Sequence, residues 1–256
     1  FTPDLMPSDI TGIEVLRGNA ETGKREFMFI KGPIFANLIL ADEINRATPK
    51  TQSALLQAMQ EKEVTYSGIT YQLPNPFHVF ATQNPIEQEG TYLLPEAQLD
   101  RFMSSLIIDY PSYQSELSLV KIITQGKDEI LSPMMNHDKL LQFQEIIELV
   151  AVPQHVLEYC VSLVRSTRPS DAIAPEFVKE FIEWGAGPRA SQYIIKGAKA
   201  RALVNGRTCI EKEDIRSIAP MVLYHRIMMK FHASAQKITV SEIIKRLLES
   251  SGDILT

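Results

Sequence analysis

Cysteine is scarce. Cys160 and Cys209 are the only two, far apart, and the sequence contains no C-x-x-C and no H-E-x-x-H. That pattern excludes a structural zinc knuckle and a zincin. Two isolated thiols suit a reducing compartment, most simply the cytoplasm. Long apolar runs are missing too, since none reaches the ~18–20 residues that span a bilayer. No secretory leader is visible, and the chain opens Phe-Thr-Pro-Asp-Leu without a methionine, which reads as part of a longer chain. Basic charge is also short: 26 Lys and Arg stand against 31 Asp and Glu, a net of −5. A nucleic-acid coat or a binder of anionic membranes is usually basic, so both classes lose ground. What remains is an ordinary soluble composition, 45% hydrophobic over 256 residues. At about 150 residues per domain, that is one large domain or two smaller ones, with ample core.

Charge and periodicity both change near residue 110. Residues 1–110 carry 8 Lys and Arg against 14 Asp and Glu, and the remainder carries 18 against 17. The first part alternates turns with the short apolar runs Phe27–Ile30, Leu38–Ala41, Phe77–Ala81 and Leu106–Ile108. Such runs read as strands. Leu38–Ala41 and Val79–Ala81 lack alternation, as expected of parallel strands buried on both faces. After Tyr110-Pro111-Ser112 the period turns helical. One stripe joins Leu119, Ile122 and Ile123, with Val120 beside it. Others join Phe143, Ile146, Ile147 and Val150; Phe177, Val178, Phe181 and Ile182; and Ile215, Ile218, Ala219 and Val222. Spacings of three and four place each set on one helix face. The reading is an α/β portion over 1–110 and an all-helical portion over 113–256.

Two motif look-alikes fail on their flanks. Gly18-Asn-Ala-Glu-Thr-Gly23-Lys24 matches most of a P-loop, but Arg25 stands where a magnesium-holding Ser or Thr belongs. Strand-like segments flank it on both sides, so a hairpin is the better reading. Gly185-Ala-Gly187-Pro-Arg-Ala190 matches a dinucleotide fingerprint. The residues before it, Phe177–Trp184, have helical spacing, and no acid lies about 20 residues on.

Four sites carry chemistry. Leu38–Ala41 ends in the adjacent carboxylates Asp42 and Glu43. Ligands of open parallel sheets sit beyond the carboxyl ends of strands. There, the first acid of such a pair helps hold Mg²⁺ and the second polarises a water. A solvated loop leading into the next helix is the alternative, with Thr48 as cap and Pro49 at the first position. The strand over 76–82 ends in Gln83-Asn84-Pro85, where Asn84 is either an orienting amide or a turn residue. Arg101 precedes Phe102 and is either a phosphate-directed guanidinium or a partner of Asp100 or Glu96. Arg189 sits near the positive end of a helix opened by Pro188, where the dipole does not favour it, so a nearby anion explains it better than helix stability. Among the rest, His78, His137, His155, His225 and His232 form no ligand cluster. Trp184 reads as core, and so does His78.

The four sites follow the order of an AAA+ ATPase. GPIFANLILADEINRATPKTQSALLQAMQEKEVT over 32–65, FATQNPIEQEGTYLLPEAQLDRF over 80–102 and WGAGPRA over 184–190 resemble the MoxR family of AAA+ ATPases. The resemblance covers most of the chain and is weakest after about residue 226. It implies an AAA+ αβα sandwich with a parallel sheet, incomplete at its N-terminus, followed by an all-helical lid. It also implies roles. Asp42 and Glu43 match Walker B, with Asp42 on Mg²⁺ and Glu43 on the hydrolytic water. Asn84 matches sensor 1, Arg101 the arginine finger acting on a neighbour's ATP, and Arg189 sensor 2. Val64–Leu73, with Ser67-Gly68 at its turn, matches the hairpin before sensor 1, and the hairpin around 18–23 matches the insert in the second helix. Gly187 stands where the family usually has Ser. The family forms rings, often hexameric, that remodel partner proteins, often ones with a von Willebrand factor A domain.

One departure stands out. The family carries a P-loop upstream of the segment resembling FTPDL, and this chain begins after that point. The expectation is that the natural protein has one. A fragment without it would be a non-catalytic interaction module that offers Arg101 in trans. A nucleic-acid motor is a third possibility. Its case rests on Arg189, Lys196, Lys199, Arg201 and Arg207, a helical set without an aromatic stacking row.

Overall fold

A computed structural model describes residues 1–18, 25–84, 90–125 and 132–250. The chain divides into two compact units, Phe1–Arg101 and Phe102–Thr256.

The first unit opens with α1 (Pro7–Thr11) and an antiparallel hairpin of β1 (Gly12–Gly18) and β2 (Arg25–Lys31), in register from Gly12↔Lys31 to Gly18↔Arg25. Strands on both sides of the P-loop look-alike are incompatible with a strand–loop–helix P-loop. Residues 19–24, where the hairpin reading puts its turn, lie outside the described residues. Next come β3 (Leu38–Ala41), a single 3₁₀ turn (Ile44–Arg46) and α2 (Pro49–Glu61). Thr48 is the N-cap and Pro49 the first helical residue, although the Thr48 side chain caps no N–H. Leu55, Leu56 and Ala58 bury one face of α2. A second hairpin joins β4 (Glu63–Tyr66) to β5 (Ile69–Gln72). Ser67 at φ 48° and Gly68 at φ 79° make its two-residue turn, the left-handed pair that a tight hairpin needs. Phe29 stacks on Tyr71 with centroids 4.5 Å apart and lies 5.3 Å from Tyr66, so one aromatic cluster binds the two hairpins.

β6 (His78–Ala81) pairs parallel with β3, Leu38↔His78 through Ala41↔Ala81. The expectation that these strands are buried on both faces is not met. Leu38, Leu40 and Phe80 are 60–66% exposed. Among the described residues β3 and β6 pair only with each other, and a two-stranded ribbon with one covered face leaves alternate side chains outside. His78 is exposed as well. The unit closes with α3 (Glu96–Leu99).

The second unit is largely helical. The strand expected at Leu106–Ile108 is absent: no described strand pairs with it, and Ile108 is 90% exposed. The segment is anchored by Ser105 N–H on Met221 O instead (2.8 Å). The helices are α4 (Tyr113–Gln125), α5 (His137–Glu148), α6 (Gln154–Ser166), α7 (Glu176–Phe181), α8 (Pro188–Val204), α9 (Lys212–Leu223), α10 (Phe231–Ala235) and α11 (Val240–Ser250). A short antiparallel ribbon of β7 (Ile182–Trp184) and β8 (Met228–Met229) interrupts them. The last three residues of the stretch read as helical are therefore strand. The strand is antiparallel, not the parallel entry of a dinucleotide turn. Trp184 is 73% exposed, not core: it ends β7, where the register with β8 shifts between Ile182 and Trp184 and so breaks the alternation that would carry it to the buried side of Ile182.

The core of this unit is built from Tyr159, Leu163, Ile182, Ile194, Ile215 and Leu223, with Ile243 from α11. α8 and α9 approach closely at Gly197, where a Cβ would lie 2.7 Å from Ile218 Cγ2. Burial pushes the Cys160 thiol up to about 12, which fixes it as a small apolar core group. Asp214, fully buried at the start of α9, is the polar clasp of the unit. Arg207 grips it with two hydrogen bonds (2.6 and 2.7 Å), and Arg201 of α8 donates a third. Asp214 also accepts the Glu211 N–H at 2.9 Å, completing the cap of α9.

Candidate functional site

The parallel register decides where the polar residues go. Ala41 and Ala81 are partners, so Asp42-Glu43 and Thr82-Gln83-Asn84 leave the same end of the sheet side by side. Thr82 stitches the two exits together. Its N–H donates to Ala41 O (3.1 Å), and its carbonyl accepts the Ile44 N–H (3.0 Å). Its hydroxyl donates to Asp42 Oδ1 at 2.6 Å and accepts the Glu43 N–H at 2.9 Å. One hydroxyl thus fixes the Asp42 carboxylate and the backbone of Glu43.

Glu43 sits at φ 52°, ψ 49°, the left-handed region. Such a conformation costs a non-glycine residue roughly 1–3 kcal/mol and persists where surroundings over-determine it. The Thr82 hydroxyl and the 3₁₀ turn that follows provide that constraint. The Glu43 carboxylate accepts from Arg46 Nη1 through Oε2 at 2.8 Å. Asn45, the buried middle residue of the turn, donates through Nδ2 to Asn84 O at 3.4 Å and so tethers the Asn84 segment to the acid pair. The residues after Asn84, 85–89, lie outside the described residues.

Asp42 is solvent-exposed, and its Oδ2 accepts no hydrogen bond among the described residues. A single exposed, hydrogen-bonded carboxylate suits Mg²⁺, which keeps waters and takes one or two carboxylates beside phosphate oxygens. The residues present therefore fit one protein ligand of a phosphate-bound Mg²⁺. Among the described residues, no group of three or more His, Cys, Asp or Glu side chains could hold a metal unaided.

Arg101 follows α3 in the same unit, and its Nη1 donates to Gln60 Oε1 of α2. Arg189 is the second residue of α8, in the other unit, half-buried behind a Gly187 N-cap. Asp42, Glu43 and the Asn84 segment are thus brought together within one unit, and Arg189 belongs to the other.

Thr82, Arg46 and Gln60 were not legible as site residues. The one signal for Thr82 was its place at the end of the strand paired with the acid strand. Thr82→Val, which keeps the shape and deletes the hydroxyl, is expected to weaken the affinity of this strand end for Mg²⁺ about threefold or more, consistent with losing about 1 kcal/mol of hydrogen bonding. Thr82→Ser is expected to stay near wild type. A magnesium titration of both variants checks this.

Comparison with known proteins bears on the family and the fold. The profile of the "ATPase family associated with various cellular activities (AAA)" matches residues 1–104, and that of the "AAA lid domain" matches 176–247. The chaperone MoxR1 of Mycobacterium tuberculosis is 41% identical over 250 residues, 98% of this chain and 65% of that protein. The chain belongs to the MoxR family of AAA+ ATPases. Its fold is accordingly an AAA+ α/β domain followed by an AAA lid. YeaC of Bacillus subtilis is likewise 41% identical, over 98% of this chain and 74% of its own length. A crystal structure from Cytophaga hutchinsonii, of a protein assigned as an ATPase, superposes with a TM-score of 0.89 at 40% identity. It covers 97% of this chain and 74% of that one. The chain therefore spans about two thirds to three quarters of these relatives. No helix among the described residues is long and apolar enough to cross a membrane.

Proposed function

We propose that the full-length protein is a Mg²⁺-dependent ATPase that works as a ring and remodels partner proteins. The observation that carries this reading is the juncture at Thr82, which sets two carboxylates and the Asn84 segment at adjacent strand ends. Family membership supports the nucleotide, and the name chaperone MoxR1 supports a protein client. A hexamer, a von Willebrand factor A domain client and a cytoplasmic location are proposed on the family resemblance.

In this mechanism ATP phosphates lie beyond the β3 and β6 ends, on the phosphate-binding loop that the family resemblance implies. Asp42 would hold Mg²⁺ and Thr82 would hold Asp42 in one orientation. The chemistry that Mg²⁺ supplies when bound is neutralisation of charge on the phosphate oxygens. Glu43 aligns the attacking water and accepts its proton at a carboxylate oxygen. The Asn84 amide orients that water or a γ-phosphate oxygen. Arg101 of one subunit presents its guanidinium to the phosphates held by the next, and Arg189 of the lid serves the same phosphates. The deciding experiment is Mg·ATP turnover of the full-length protein, wild type against Glu43→Gln. Loss of turnover supports the reading, and equal rates overturn it.

A further inference from the structure

We propose that Gln60 is a positioning residue for Arg101, and that α2 is the strut joining a subunit's own acid pair to the arginine it offers to its neighbour. The inference rests on the reading of Arg101 as a trans-acting finger.

α2 begins six residues after Glu43, and its amides engage both ends of that connection. Gln52 is fully buried. Its Nε2 donates to Ile44 O at 3.2 Å and Ala47 O at 3.1 Å, carbonyls at the start and just past the end of the turn that follows the acid pair. The same Nε2 reaches Tyr92 O at 3.0 Å, and Tyr92 N–H returns to Asn45 O at 2.6 Å. The segment leading to α3 is therefore tied directly to the turn after Glu43. One turn on, the buried Leu56 continues the same side of the helix. Ser53 and Gln60, seven residues apart and so nearly eclipsed, complete the seat. Ser53 Oγ accepts from Gln98 Nε2 of α3 at 3.5 Å. Gln60 Oε1 accepts from Arg101 Nη1.

The chemistry suits a finger that must be held without being consumed. A neutral amide oxygen holds Nη1 of the guanidinium without itself adding a negative charge beside it, whereas a carboxylate at position 60 would add one. Holding a catalytic group in line matters at the scale of an ångström, where misplacement costs about 100-fold. A shift of the acid-pair turn on binding nucleotide would pass through Gln52 into the Tyr92 segment, and so to the finger.

Gln60 is solvent-exposed, so Gln60→Leu leaves the core intact. In full-length rings this variant is expected to lose about tenfold in kcat, with KM for ATP within about twofold. Mixed rings separate positioning from general damage. Glu43→Gln subunits keep their finger and Arg101→Ala subunits keep their acid pair, so an equimolar mixture hydrolyses ATP where neither does alone. Gln60→Leu placed on the Glu43→Gln subunit, which supplies the working finger, is expected to abolish most of that rescue. Placed on the Arg101→Ala subunit, it is expected to leave the rescue unchanged. Equal effects from the two placements, or no effect from either, overturn the role of Gln60. An inactive control mixture overturns the trans finger itself, and this inference with it.

Discussion

Glu43→Gln in the full-length protein is expected to lower ATP turnover by about 100-fold or more while nucleotide binding persists. A positioned general base is worth about 10²–10⁴ in rate, and an amide of the same shape cannot accept the proton. The neighbouring geometry makes the test clean. Glu43 is held at its left-handed backbone position by the Thr82 hydroxyl on its N–H, a contact that the side-chain change does not touch. The ion pair with Arg46 (2.8 Å) is partly exposed, and surface pairs contribute about 0–1 kcal/mol, so its loss does not unfold the turn. The check is phosphate release alongside equilibrium binding of a fluorescent ATP analogue. A loss of both together would point to damage of the fold, not of the chemistry.

Asp214→Asn is expected to destabilise the helical unit by about 3–5 kcal/mol, because it removes the buried carboxylate that Arg201 and Arg207 share and leaves Arg207 only Glu211 at 3.6 Å for counter-charge. For a unit of this size that is a fall in melting temperature of roughly 10 °C, readable by calorimetry. The same clasp sets an acid limit. The Arg207 guanidinium, the Arg201 guanidinium and the Glu211 N–H hold the Asp214 carboxyl down at about 2, against an ordinary 3.8. In acid the unfolded chain takes up this proton first, so stability is full above pH 3.8 and falls as pH drops from there to about 2. The window carries about 2 kcal/mol. Asp214→Asn is expected to flatten that part of the stability-versus-pH curve.

What the sequence made legible follows from how local each signal is. Helix faces such as Ile215, Ile218, Ala219 and Val222 need only their own spacing, and they are α9. The Ser67-Gly68 turn needs only its two left-handed residues, and it is there. Strand burial is not local. Leu38, Leu40 and Phe80 are exposed because burial depends on what lies beside β3 and β6, which no run of apolar residues states. Leu106–Ile108 has strand composition and no described partner, so composition alone overcalls it. Trp184 is exposed at the end of β7, where the register with β8 shifts after the buried Ile182, against the usual preference of its side chain. At the site, the acid pair was visible as a strand terminus. The bonds that fix it come from Thr82, Arg46 and Gln52, at sequence separations of 39, 3 and 8 from their partners. Of these the Thr82 bonds depend on the β3–β6 register, and a register is a property of two strands at once.

The central claim is that Asp42, Glu43 and Arg101 of neighbouring copies complete one hydrolytic site. Phosphate release from an equimolar mixture of full-length Glu43→Gln and Arg101→Ala tests it most directly. The mixture is expected to reach a substantial fraction of the wild-type rate although each protein alone is inert. A mixture no faster than the sum of its parts would contradict it.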